Sequence, residues 1–236
     1  MSLLKVPFLL SVMYCTYTTM TPPTHTPPKS EKLPPTGWEL IVPWFPYIPK
    51  AIFVGLSICE AAAIVASAFP GGAAARTTDL LTLLTFSTPA TALHLRLTPV
   101  FLCGWALNLA GTLLRIACYR ALGSQFTFEL SIRAGHQLVT SGPYALVRHP
   151  SYTGALISCA GMLTAHLSRG SWAMECLGLH GLGVRRRWIC IGLASFFALA
   201  LVPRMNKEDR MLKKRFGERW ERWRMAVPFR LVPWVY

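Results

Sequence analysis

Apolar runs broken by short polar punctuation dominate the chain. Tyr47 to Phe69 and Leu97 to Tyr119 are the first two strong ones. Each is long enough as a helix to meet the roughly 20 residues that cross a bilayer. Glu60 lies inside the first of these runs. An acid at that depth faces protein or a water-filled cavity, as a structural hydrogen-bond partner between helices or as a functional group. Pro70-Gly71-Gly72 ends that helix. Asp79 to Leu95 is apolar but contains Pro89, which makes it a kinked span or a re-entrant piece. Two shorter runs, Tyr152 to Leu167 and Trp188 to Val202, follow a polar stretch from Arg120 to Arg148 and read as a helical hairpin. The pattern predicts an all-α integral membrane protein, a helical bundle of four to six spans.

The ends of the chain differ from this middle. Met1 to Met20 holds a short apolar stretch after Lys5, similar to a weak signal anchor and short for a secure span. Thr21 to Pro35 is rich in Pro and Thr and is expected to be an extended linker. Residues 1–37 are therefore expected to be a tail and linker, and residues 38–110 the N-terminal transmembrane helices.

Composition supports the membrane reading: 53% of residues are apolar and 14% charged, against about 25% charged in ordinary soluble domains. The basic excess, 24 Lys and Arg against 10 Asp and Glu, is concentrated after Pro203, where ten basic residues accompany four acids. A basic tail directly after an apolar run is expected on the cytosolic side, near anionic lipid headgroups. Arg115 and Arg120 put the end of the second strong run on the same side. Arg169 and the Arg185-Arg186-Arg187 triplet oppose this assignment locally, and the larger tail outweighs them. No nucleic-acid reader motif accompanies the charge, so nucleic acid is not an expected partner. The seven cysteines form no C-x-x-C and lie mostly in apolar runs, as small buried hydrophobes rather than a disulfide frame or zinc site. Gly178, Gly181 and Gly183 do not make the strand–G-x-G-x-x-G pattern of a dinucleotide site.

Candidate chemistry is concentrated in two stretches. The first is His136-Gln137-Leu138-Val139-Thr140-Ser141-Gly142-Pro143-Tyr144 followed by Val147-Arg148-His149-Pro150-Ser151-Tyr152-Thr153-Gly154. Ser141-Gly142-Pro143 signals a turn, and Pro150 suits the first turn of the apolar helix that follows. Tyr144, His149 and Tyr152 offer aromatic walls and hydrogen bonds for an adenosine-sized group, though each alone is equally an interfacial anchor. The second stretch holds Arg204, Glu208 and Asp209, then Arg215-Phe216-Gly217 and Trp220. Arg204 and Glu208, four apart, share one helix face. They form either an ordinary surface ion pair or a pair that handles two charged ligands. In the second case Arg204 binds a carboxylate and Glu208 a cation.

Together these stretches resemble the C-terminal half of the isoprenylcysteine carboxyl methyltransferases and, more broadly, membrane methyltransferases that include phospholipid N-methyltransferases. The resemblance covers about Gly111 to Tyr236 and implies a methyltransferase core over 111–236 with a cytosolic cofactor-binding segment. It implies S-adenosylmethionine as cofactor, held by Glu129, His136, Leu138, Val139, Tyr144, His149, Pro150, Ser151, Tyr152 and Glu208. By the same resemblance Arg204 orients the substrate carboxylate, so that Arg204 and Glu208 are the catalytic pair. Leu122-Gly123-Ser124-Gln125-Phe126-Thr127 is similar to the family's approach to the pocket. The implied substrates are prenylated protein C-termini processed at CaaX sequences, in the endoplasmic reticulum membrane, with the active site and C-terminus cytosolic and membrane lipids as surroundings.

Two departures stand out. Glu129 occupies a position where the family can place glutamine, and it lacks the amide's donors. The linker from Arg169 to Arg187 is longer and more basic than usual and lacks the family's Asn-Pro. Three alternatives stay open: a phospholipid N-methyltransferase, disfavoured by Arg204; a catalytically silent membrane paralogue; and a sterol reductase-like protein, for which the N-terminal half is short.

Overall fold

Helices make up the regular structure of the computed structural model, which describes residues 2–26, 28, 46–69, 81–85, 88–131, 135–179 and 185–235. The helices are α1 (Lys5–Thr19), α2 (Tyr47–Ala68), α3 (Pro99–Leu122), α4 (Pro150–His166), the single turn α5 (Trp172–Glu175), α6 (Arg185–Phe216) and α7 (Glu218–Ala226). No β-strand is present among the described residues. Among the described residues, two helices are long and apolar enough to cross a membrane: α2, and α3 with the 310 turn that extends it to Gln125. Only 28% and 33% of their apolar windows are buried by the rest of the protein. That leaves most of each surface for lipid, unlike the core helix of a soluble domain.

The α3–α4 pair is the centre of the architecture. The helices run antiparallel in backbone contact, because glycines face each other at matching heights. Gly104 and Gly111 on α3 lie against Gly161 and Gly154 on α4. A Cβ at Gly111 would sit 2.4 Å from the Ser158 nitrogen, and one at Gly161 2.3 Å from the Asn108 nitrogen. Small residues let membrane helices approach closely, and polar groups then bond across them. Asn108 Nδ2 accordingly donates to Ser158 Oγ at 2.9 Å and to its carbonyl at 3.3 Å. At the Arg115 end of the pair, Arg115 Nη1 donates to the Ser151 carbonyl at 3.0 Å and to Ser151 Oγ at 3.2 Å. This contact fixes the first turn of α4, where the candidate chemistry begins.

A substitution test follows. Gly111→Ala is expected to lower the melting temperature in detergent by about 2–10 °C, the equivalent of roughly 1–3 kcal/mol of overpacking in a chain of this size. Gly55→Ala in α2 meets nothing within 4 Å and is expected to cause no loss. Equal effects of the two changes would contradict the close α3–α4 approach.

The N-terminal helix belongs to this bundle. Leu9, Val12 and Cys15 on α1 are buried, and Thr19 Oγ1 lies 2.9 Å from Thr112 Oγ1 on α3. Lys5 and Glu60 are both buried and pair at 2.5 Å. Lys5 Nζ also donates to the Gly170 carbonyl at 2.8 Å. The acid within the first strong run is thus one partner of an interhelical ion pair, the structural alternative of the two raised by the sequence. A buried charge is tolerated when paired and hydrogen-bonded.

Other stretches depart from the apolar pattern. In its described part, the run from Asp79 to Leu95 is helical only at 81–84 and in a 310 turn over Pro89–His94, not as one continuous helix. The last apolar run ends at Val202, yet α6 continues through Pro203 to Phe216. α4 packs most closely on α3 and also contacts α6. The Pro70-Gly71-Gly72 stop and Gly181 and Gly183 lie outside the described residues.

Candidate active site

Three parts of the chain converge beside the first turn of α4: the loop that follows α3, the segment from His136 to Ser151, and the charged half of α6. They enclose a cavity of about 100 Å³. It is lined by Glu129, His136, Leu138, Val139, Tyr144, His149, Ser151, Tyr152, Arg204 and Glu208, among others. Of the residues expected to hold cofactor or substrate, Pro150 alone does not line it. Pro150 is buried as the first residue of α4, where its missing N–H leaves no bond unmade.

The Tyr152 hydroxyl is the hinge of the site. It accepts from Arg204 Nε at 2.8 Å and donates to Glu208 Oε2 at 2.7 Å. One helical turn of α6 thus presents a guanidinium and a carboxylate to the same phenol of α4. Arg204 Nη2 also donates to the Phe128 carbonyl, which ties the loop after α3 to this face of α6. The His149 ring stacks on that of Tyr152, with centroids 5.6 Å apart and planes 20° apart.

Asp209 explains how the His149 loop is held. Its carboxylate, buried next to Glu208 in sequence, accepts from Arg148 Nη1 at 3.0 Å and lies 3.1 Å from His149 Nε2. Arg230 Nε lies 3.6 Å from the same carboxylate. The C-terminal strap completes the frame. The N–H groups of Arg148 and His149 donate to the carbonyls of Phe229 and Arg230 at 2.9 and 2.8 Å, and Thr153 Oγ1 donates to the Leu231 carbonyl at 2.7 Å. With Asp209 on Nε2, His149 turns Nδ1 toward Glu208, 3.7 Å away. Arg148 and Asp209 lie within the two informative stretches but carry no expected role there. The signal was an Arg-His pair on one side and a Glu-Asp pair on the other, separated by about sixty residues.

The remaining wall is aromatic and apolar. Tyr144 follows Gly142, whose φ of +61° opens the turn, and it packs with Cys118, Trp220 and Trp223. Trp223 Nε1 donates to the Tyr144 carbonyl at 3.2 Å. Burial raises the Tyr144 phenol far above its ordinary range, so it stays protonated. Ser151 lines the cavity, but its hydroxyl accepts from Arg115, which makes it part of the α3–α4 clamp.

His136 Nδ1, on the cavity wall, is buried with no hydrogen-bond partner among the described residues. Burial lowers its pKa, with Glu208 opposing and Arg215 assisting. Below about pH 6.5 the unfolded chain takes up a proton that the folded chain resists, so stability falls as pH drops through that window. His136→Gln is expected to flatten the change in melting temperature between pH 7.5 and pH 6. An unchanged slope would contradict a neutral, buried His136.

The model of the isoprenylcysteine carboxyl methyltransferase (ICMT) family matches residues 104–214, which run from the glycine face of α3 to beyond the Arg204–Glu208 turn. Protein-S-isoprenylcysteine O-methyltransferase B of Arabidopsis thaliana is 30% identical over 127 residues, 53% of this chain and 55% of the relative. Protein-S-isoprenylcysteine O-methyltransferase of Schizosaccharomyces pombe is 31% identical over 120 residues, 50% of this chain and 43% of the relative. A Delta(14)-sterol reductase of Mus musculus is 29% identical over 102 residues, 43% of this chain and 20% of the reductase. The chain thus spans about half the length of the two O-methyltransferases and a fifth of the reductase. No solved structure matches. The similarity to the isoprenylcysteine carboxyl methyltransferase family thus lies in residues 104–214, which hold the cavity and most of its wall.

Proposed function

We propose that this chain is a multi-span membrane methyltransferase that esterifies the C-terminal carboxylate of a prenylated cysteine with the methyl group of S-adenosylmethionine. Its site would face the cytosol at the endoplasmic reticulum membrane, with the basic residues after Pro203 on that side. The observation that carries the reading is the Tyr152 bridge, which holds a cation and an anion together at one cavity.

The residues present suit a cationic nucleoside cofactor. Glu208 is an acceptor for its charge, the unpartnered Nδ1 of His136 awaits a polar group, and Tyr144, His149 and Tyr152 form aromatic walls. Ligand pockets usually enclose about 300–1,000 Å³, so this narrower cavity must widen to seat both reactants. When bound, S-adenosylmethionine would supply a methyl carbon made electrophilic by its sulfonium, for transfer to a carboxylate oxygen with a neutral thioether as the leaving group. Arg204 orients that carboxylate through two parallel N–H donors. No side chain has to remove a proton, because the carboxylate is already ionised at neutral pH. The enzyme's work is alignment, together with exclusion of water by the aromatic wall and the C-terminal strap. The prenyl chain would reach the site sideways from the bilayer along α6, where Ile191, Phe196 and Leu199 are exposed. An ammonium acceptor, as in a phospholipid amine, would meet repulsion from Arg204.

Tryptophan fluorescence of the detergent-purified chain tests the cofactor assignment, since Trp223 borders the cavity. Saturable responses to S-adenosylmethionine and S-adenosylhomocysteine are expected, and none to NADPH. Response to NADPH alone would move the chain to the reductase-like reading raised by the sterol reductase similarity.

A further inference from the structure

A second cavity lies at the other end of the α3–α4 pair. It has a volume of about 580 Å³, and its wall includes Val100 at the start of α3, Leu163 and Leu167 at the end of α4, and Ile191 on α6. Arg96 and Arg169 line it too. Both arginines are exposed, and neither side chain has a hydrogen bond or ion pair among the described residues. Their backbones are locked together: Arg96 N–H donates to the Gly170 carbonyl at 3.1 Å. Gly170 has a φ of +78°, and a Cβ added there would lie 2.7 Å from Arg96 Cγ, which disfavours any larger residue. The pair of charges is therefore held at one place rather than scattered on a mobile loop.

We infer that this cavity binds one anionic glycerophospholipid, with its acyl chain in the apolar groove between α3, α4 and α6 and its phosphate on Arg96 and Arg169. The shape and chemistry agree: an apolar slot whose charged lining residues are Arg96 and Arg169, beside the hydroxyls of Thr98, Thr164 and Ser168, matches an apolar tail with an anionic head. Arginine suits phosphate through its planar fork of donors, and basic pockets between membrane helices are known to take anionic headgroups. Neutral phospholipids carry a choline or ethanolamine cation that would meet the two arginines unfavourably. The bound lipid would not be a reactant. Leu163 and Tyr152 are eleven residues apart on α4, about 16 Å at helical rise, so the headgroup sits remote from the candidate active site. The site also gives a role to Arg169, which runs against the charge asymmetry expected from the C-terminal tail. The inference rests on the membrane placement of α3 and α4 and is independent of methyl transfer.

Native mass spectrometry of the full chain tests it. The chain is purified in mild detergent and supplied with equal phosphatidylglycerol and phosphatidylcholine. Wild type is expected to retain one phosphatidylglycerol in at least tenfold preference. The double variant Arg96→Gln, Arg169→Gln removes the charges, and Leu163→Trp fills the groove with the charges intact. Each is expected to lose that preference, while Arg219→Gln with Arg222→Gln on α7 keeps it. Glycerol phosphate, which offers the anion without the tail, is expected not to bind. Equal retention of both lipids by wild type would overturn the inference. So would loss of preference only in the α7 variant, or full retention by Leu163→Trp. Melting temperatures without added lipid verify that each variant is folded, and S-adenosylmethionine binding by the same variants separates this site from the active one.

Discussion

Arg204→Ala is expected to lower methyl transfer by about 100- to 1,000-fold while S-adenosylmethionine still binds, the scale seen when one preorganised charge-stabilising donor is removed from an active site. The expectation comes from the division of labour on one turn of α6. Arg204 donates to the Tyr152 hydroxyl and the Phe128 carbonyl, whereas Glu208 accepts from that hydroxyl, so deleting Arg204 leaves the Tyr152–Glu208 bond in place. Arg204→Lys keeps the charge but not the fork, and it is expected to recover only part of the rate. Glu208→Gln is the counterpart. It is expected to weaken cofactor affinity by about tenfold, because a charge-assisted contact becomes a neutral one, with less effect on the rate at saturation. Equal loss of binding and turnover in Arg204→Ala would contradict the separate roles. Unchanged affinity in Glu208→Gln would leave the pair as a structural one.

Asp209→Asn is expected to have the largest effect on stability. Its carboxylate faces Arg148, His149 and Arg230 at 3.0, 3.1 and 3.6 Å, and the Arg148 and Asp209 side chains are almost fully buried. Breaking a buried pair by neutralising one partner costs about 3–5 kcal/mol, a large share of the roughly 5–15 kcal/mol that holds a typical domain folded. The melting temperature in detergent is expected to fall by about 6–20 °C at the usual conversion for a chain of this size. Cofactor affinity falls with it, since His149 and the turn into Tyr152 lose their anchor. A variant with an unchanged melting temperature would show that the strap from Phe229 to Leu231 holds the loop without Asp209.

How much of this was legible in the sequence depends on distance along the chain. The two strong spans were visible because apolar length is a local property. Most of the cavity wall was visible because the turn at Gly142, the Arg148-His149-Pro150 run and the Arg204–Glu208 spacing are each local too. The Tyr152 bridge was not, since nothing in a sequence states that residues about fifty apart meet at one hydroxyl. The same holds for Asp209, whose partners come from the loop before α4 and from the C-terminal strap. The packing of α1 was hidden for a further reason. Lys5 next to a short apolar run reads as a flanking charge, and only the fold shows that it enters the core to meet Glu60. The close α3–α4 approach was written in Gly104, Gly111, Gly154 and Gly161, a seven-residue spacing on both helices. It becomes informative once the two helices are known to be antiparallel partners.

The most direct test of the central claim is transfer of label from methyl-labelled S-adenosylmethionine in membranes that express this chain. N-acetyl-S-farnesylcysteine is the acceptor, with N-acetylcysteine and phosphatidylethanolamine as controls. Base-labile label on the farnesylated compound alone, lost in Arg204→Ala, is the predicted result. Label on the lipid amine, or no label from verified, folded protein, would contradict it.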